Sequence, residues 1–144
     1  MGVAFLYRIT PNLVSSKFEN VQAEEYPEIT NVAPKSRRLS NDEKRLIANG
    51  NKILAAIEKY LSENGDYPTT LKSLVPDYIE EIPKTGYTRS YLFSFKIEEA
   101  AYRYHATLIK ERPQFAGFYI SVRYGMFDEW SYSSYEKVWE HAVH

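Results

Sequence analysis

The chain has no cysteine. Disulfides, thiolate nucleophiles and cysteine-bearing zinc sites are therefore excluded. It has no apolar run near the ~18–20 residues that span a bilayer. Neither sign of charge dominates: 18 basic and 19 acidic side chains leave a net charge of -1, so nothing electrostatic calls for nucleic acid as a partner. There are only three histidines, His105, His141 and His144, scattered along the chain. The sequence holds no glycine-rich phosphate loop, no His-Glu-x-x-His and no Gly-x-Ser-x-Gly. Carboxylates pair at Glu24-Glu25, Glu80-Glu81, Glu98-Glu99 and Asp128-Glu129. Neighbours on a strand point to opposite faces, so such pairs do not converge on one reacting atom. The residues thus predict neither catalysis nor a metal or cofactor.

What the chain does have is length for one domain and a 44% hydrophobic share, enough for a packed core. It is rich in aromatics, with 13 tyrosines and 2 tryptophans, most of them after Tyr87. Residues 1–39 read as an irregular N-terminal stalk or extension, broken by Pro11, Pro27 and Pro34. Its first apolar stretch, Val3-Ala4-Phe5-Leu6-Tyr7, fits either the end of a membrane anchor or a short strand. Ile29-Thr30-Asn31-Val32 fits an edge strand, and Lys35-Ser36-Arg37-Arg38 is a small basic patch in a polar loop.

Residues 40–144 read as an α+β head, with one long N-terminal amphipathic helix packed on a four- to five-stranded antiparallel sheet. The helix is predicted from Asn41 to Glu63. Ser40 with Glu43 forms a capping-box pattern. Leu46, Ile47, Gly50, Ile53, Leu54, Ile57 and Leu61 draw one apolar stripe. Gly50 lies on that stripe, which predicts close approach of the sheet. Asn51 falls on the polar side with Lys44, Lys52, Glu58, Lys59 and Ser62. Asn64-Gly65 closes the helix. A short helix capped by Thr69 or Thr70 follows and stops at Pro76; Ile79 and Ile82 then anchor the chain to the core. Period-two alternation predicts strands over Thr88–Ile97, Tyr102–Ile109 and Phe115–Tyr124, and a terminal hairpin around Ser133-Ser134-Tyr135-Glu136. Glu98-Glu99 is expected to turn the chain between two of these strands.

The run Tyr60-Leu61-Ser62-Glu63-Asn64-Gly65-Asp66-Tyr67-Pro68, then Leu71-Lys72-Ser73-Leu74, then Pro76-Asp77-Tyr78-Ile79 and Ile82-Pro83, resembles the globular heads of type IV pilin-like proteins and type II secretion pseudopilins. The resemblance is closest over residues 57–83. It implies that Asn64, Gly65, Tyr67, Pro68, Leu71, Leu74 and Pro83 are structural, with Tyr67 packing back on the helix. It further implies a non-enzymatic interaction domain, periplasmic or in the cell envelope and anchored to the inner membrane by a tether outside this chain. Partners would be other envelope proteins or copies of itself. Departures are visible. Pro83-Lys84-Thr85-Gly86-Tyr87 stands where a Pro-Trp-Gly often follows, the acidic calcium loop of major pseudopilins has no counterpart, and an irregular stretch precedes Ser40. An alternative reading is a periplasmic module that stacks a sugar or peptide on an aromatic sheet face. Its candidates are Tyr119, Tyr124, Trp130, Tyr132, Tyr135 and Trp139, although alternation assigns some of these inward.

Gly65→Val is expected to lower the melting temperature, because a β-branched residue resists the positive φ of a helix terminus. Thermal circular dichroism checks this; an unchanged melting temperature would mean that the helix does not end in a left-handed turn.

Overall fold

The computed structural model describes residues 26–34, 37–91 and 94–144, and of residues 89–91 and 94–97 the backbone alone. The expectation for Val3–Tyr7 lies outside the described parts, as do the side chains of most of the strand expected over Thr88–Ile97.

Helix α1 spans Asn41–Asn64. Both halves of its capping box are present: the Glu43 amide donates to Ser40 Oγ at 3.2 Å, and the Ser40 amide donates to Glu43 Oε2 at 2.8 Å. Gly65 ends it at φ 73°, donating its amide to Leu61 O at 2.8 Å. A Cβ there would meet nothing within 4 Å, so the demand for glycine is one of backbone conformation alone. The predicted stripe is buried from Leu46 to Ile57, and Leu61 is half-buried. A 3-10 helix, Leu71–Leu74, follows; Thr70 precedes it without a side-chain capping bond.

The strands are β1 Thr88–Tyr91, β2 Ser94–Glu99, β3 Arg103–Thr107, β4 Gly117–Arg123, β5 Asp128–Ser133 and β6 Trp139–Val143. Strands β3 to β6 form one antiparallel sheet in sequence order. The class is therefore α+β, with two corrections. The long strand expected over Thr88–Ile97 is two: β1 and β2 pair with each other as a separate hairpin, Tyr91 opposite Ser94. Glu98 and Glu99 accordingly pair with Arg89 and Thr88 inside that hairpin, and the link to β3 begins only at Ala100. The helix is also not the first part of the head to pack. Ile29, Val32 and Leu39 lie against the core, and Val32 forms a parallel bridge to Trp139.

Core geometry follows from register. Tyr104, Ile120, Tyr132 and Trp139 stand in one row across the four strands, all on the face turned to α1. Tyr102 crosses this interface and donates its hydroxyl to Leu46 O. At Gly50 the helix and the sheet come into close approach. A Cβ built on it would fall 2.4 and 2.7 Å from two ring carbons of the fully buried Trp139. Ile79 and Ile82 pack at the core margin, as expected.

Gly50→Ala is predicted to destabilise the protein. In an open helix the change gains about 1 kcal/mol. Here the methyl must displace a rigid, enclosed indole, an overpacking cost of about 1–3 kcal/mol that outweighs the gain. Chemical denaturation of the variant checks the sign.

Candidate functional site

The junction after α1 is a mesh of short-range bonds. Asn64 Nδ2 donates to Tyr60 O at 2.9 Å and to the Tyr78 hydroxyl at 2.8 Å. The Tyr60 and Tyr78 rings pack 5.1 Å apart at a tilt of 59°, with Lys59 Nζ 5.9 Å from the Tyr78 ring centre. Tyr67 does not simply fold back on the helix: its ring lies edge-on to Phe118 of the sheet at 5.5 Å. Pro68 is fully buried and its carbonyl accepts the Tyr104 hydroxyl at 2.9 Å. Leu74 is fully buried, while Leu71 and Pro83 are half-buried.

The residue that ties this junction to the sheet is Asp66. Its carboxylate accepts backbone amides from Tyr67 at 2.8 Å, Ile109 at 2.7 Å and Lys110 at 3.2 Å. Desolvation pushes its pKa up, but the three amides and the Lys110 ammonium outweigh that and hold it below the ordinary carboxylate value. Nothing in the spacing marks it, since an Asp after Asn-Gly reads as one more polar turn residue.

The six aromatics proposed as a binding face do not form one. Trp130, Tyr132 and Trp139 are buried core residues, because their alternation puts them on the helix side of β5 and β6. Trp139 is held on every side: its Nε1 donates to Asn51 Oδ1 at 2.9 Å, and its backbone bonds to Asn31 and Ala33. Asn51 and Asn31 also exchange side-chain amide bonds at 2.9 and 3.2 Å. Asn51 thus works inward, against its place on the polar side of the helical wheel. Tyr124 is half-buried. Only Tyr119 and Tyr135 are exposed, and Tyr135 is tied down, its ring over Gly117 and its hydroxyl 2.6 Å from Phe115 O.

A polar cluster gathers where α1 begins. Glu43 is buried, and Arg37 donates to it at 2.8 and 3.4 Å, so one residue of the basic patch serves the helix cap. His141 lies in β6. Its Nε2 is 3.1 Å from Asp128 Oδ1, and its ring lies 5.3 Å from Trp130 and 6.3 Å from Tyr124. Tyr124 stacks on Tyr87 at 4.5 Å. Burial raises the Tyr124 pKa, and the Glu43 and Asp128 carboxylates act in the same direction. The Tyr124 hydroxyl and Trp130 Nε1 are buried without a hydrogen-bond partner among the described residues. A His–Asp pair has the reach of a base and the group that orients it. Aromatic rings flank it here, however, and no Ser or Thr hydroxyl bonds to His141 among the described residues. His105 is exposed on the opposite face of the sheet, across from Tyr119. Asp128 and Glu129 diverge as adjacent strand residues must, Glu129 meeting Arg123 at 3.3 Å. Among the described residues, no three His, Asp or Glu side chains gather closely enough to hold a metal ion.

Two surface features remain. Met126, Phe127 and Val143 are 60%, 54% and 71% exposed. They lie at one end of the sheet, since Val143 stands opposite Asp128 and the His144 amide bonds to Phe127 O at 2.9 Å. Between residues 26–33, residues 37–39 and Lys44 lies an open cavity of about 450 Å³. Among the described residues no helix is long and apolar enough to cross a membrane. Comparison with known proteins finds no matching family model, curated protein or solved structure.

Because the folded Asp66 pKa is depressed, its contribution to stability is present above the unfolded value of 3.8 and is lost as pH falls through the lower folded value. Asp66→Ala should therefore lower the melting temperature at neutral pH, and the gap to the parent protein should close on acidification below about pH 4. Paired thermal melts from pH 7 to pH 2 check this.

Proposed function

We propose that the chain is a non-enzymatic interaction domain that docks other proteins, or copies of itself, through the end of its sheet at the β4–β5 turn. The observation that carries this reading is the exposure of Met126, Phe127 and Val143 at one end of the sheet. Exposed large apolar side chains gathered at one end of a fold are a feature of association surfaces. The turn that presents them is braced. Tyr124 N donates to Asp128 O at 3.2 Å, and β6 closes the other side. A rigid display of this kind loses little entropy on docking.

The resemblance to pilin-like and pseudopilin heads adds the setting: the cell envelope, with the head held near a membrane. What supports it is the order of elements, a capped helix closed by Asn64-Gly65, a short Leu71–Leu74 helix and then an antiparallel sheet. Fractionation of cells making the full-length gene product tests the setting, and a wholly cytosolic product would remove it while leaving the docking surface to stand or fall alone.

Photo-crosslinking tests the surface. A photoreactive residue at position 126, 127 or 143 should give discrete adducts, identified by mass spectrometry. Phe127→Glu should abolish them without lowering the melting temperature. The same group at Lys52 or Lys59, on the exposed side of α1, should give none. Adducts confined to α1, or indifferent to the charge at position 127, would overturn the proposal.

A further inference from the structure

Two asparagines in the chain are followed by glycine, at Asn49-Gly50 and at Asn64-Gly65. An asparagine side chain in this position is open to attack by the glycine's own backbone nitrogen, because no Cβ hinders the approach. The glycine N–H first loses its proton to base. The nitrogen then bonds to the side-chain carbonyl carbon, the bond from that carbon to Nδ2 breaks, and the side-chain amide leaves as ammonia. Water opens the resulting succinimide ring at either carbonyl, which leaves aspartate or isoaspartate. Water is the only co-reactant, so the rate is set by how readily the fold lets the two groups meet.

The fold treats the two pairs differently. Gly50 is buried in the middle of α1, and the Trp139 ring fills the place where its Cβ would stand. Asn49 is half-buried, its Nδ2 donating to Lys84 O at 2.8 Å. Bringing the Gly50 nitrogen onto the Asn49 side chain requires the helix to open at its centre and the indole to leave, which is most of global unfolding. Asn64 and Gly65 are both exposed, and nothing lies within 4 Å of the Gly65 Cβ position. The Gly65 amide is held on Leu61 O at 2.8 Å, and Asn64 Nδ2 on Tyr60 O at 2.9 Å and the Tyr78 hydroxyl at 2.8 Å. Those three bonds break when the last turn of α1 frays, and a helix end opens at far lower cost than a whole domain.

We infer that Asn64 is a site of spontaneous deamidation in the folded protein, and that Asn49 is spared until the domain unfolds. The product works against the junction. A carboxylate at position 64 lacks the Nδ2 protons that Tyr60 O and the Tyr78 hydroxyl oxygen accept. Its charge also stands at the C-terminal end of α1, among the last helical carbonyls, where a negative charge is unfavourable. The ammonia is lost, so the change is one-way, and a chain that ages by this route has a looser helix end. None of this depends on the docking reading.

The test incubates the full chain at mildly alkaline pH, folded and in guanidinium, and follows the amide-to-acid conversion at each asparagine by peptide mapping and mass spectrometry. Each folded rate is divided by the same residue's rate in guanidinium, which removes the effect of local sequence. The quotient for Asn64 should exceed that for Asn49 by about tenfold or more. Tyr78→Phe removes one acceptor of the Asn64 side chain and should speed conversion at Asn64 while leaving Asn49 unchanged. Equal quotients in the parent protein, or a larger one at Asn49, overturn the inference. Equal acceleration of both sites by Tyr78→Phe does the same, since Asn64 would then react only through global unfolding. Asn64→Asp reads the consequence of the reaction. Its melting temperature should lie below the parent's at neutral pH, and the gap should narrow below about pH 4, where the new carboxyl group loses its charge. A melting temperature equal to the parent's at neutral pH would overturn the loosening of the helix end.

Discussion

The indole of Trp139 is the piece on which the other parts converge. Its ring fills the space left by Gly50, its Nε1 ends on Asn51, and its backbone amide and carbonyl pair with the segment at residues 31–33. Helix, final strand and extension therefore share one side chain. Removing a buried Trp from a core generally costs about 3–5 kcal/mol, against a typical domain stability of about 5–15 kcal/mol. The Asn31–Asn51 amide pair borders the same indole. It satisfies polar groups that Trp139 draws inward, and it is worth having because an unpaired buried amide costs more than a paired one returns.

The two ends of α1 are secured by different means. At the start, Glu43 is enclosed, capping the helix and taking Arg37 as its counter-charge. At the finish, Gly65 turns the chain and Asp66 fastens it to the loop after β3 through three amide bonds. Between them the helix is fixed in both position and rotation over the sheet. Tyr124, whose ring lies 6.3 Å from that of His141, is near enough to the Glu43 end to feel its carboxylate.

The helix was legible because four signals agree on it: the cap at Ser40, the buried stripe, the glycine on that stripe, and Asn64-Gly65. Strands β3 to β5 were legible because one face is buried and alternation records that. The split between β1 and β2 was not. Leu92-Phe93 falls between them and contains none of the Gly, Pro, Asn or Asp that usually announces a hairpin, so the alternation runs on through it. The candidate aromatic face failed for a related reason. Period two says which residues share a face but not which face is inside, and an indole serves equally well in a core and in a binding groove. Asp66, Asn51 and His141 take their roles from partners far along the chain, 43, 88 and 13 residues away, and no local pattern encodes such distances.

The 88-residue separation between Asn51 and Trp139 also orders events in time. During synthesis the helix leaves the ribosome well before the strand that receives its apolar stripe. Loop closure over that span is entropically slow, and the rows of the sheet cannot seal until β6 arrives. Until β6 is made, the stripe of Leu46, Ile53 and Ile57 lacks the strand that carries Trp139, so a chain cut between β5 and β6 leaves apolar surface that the folded domain encloses.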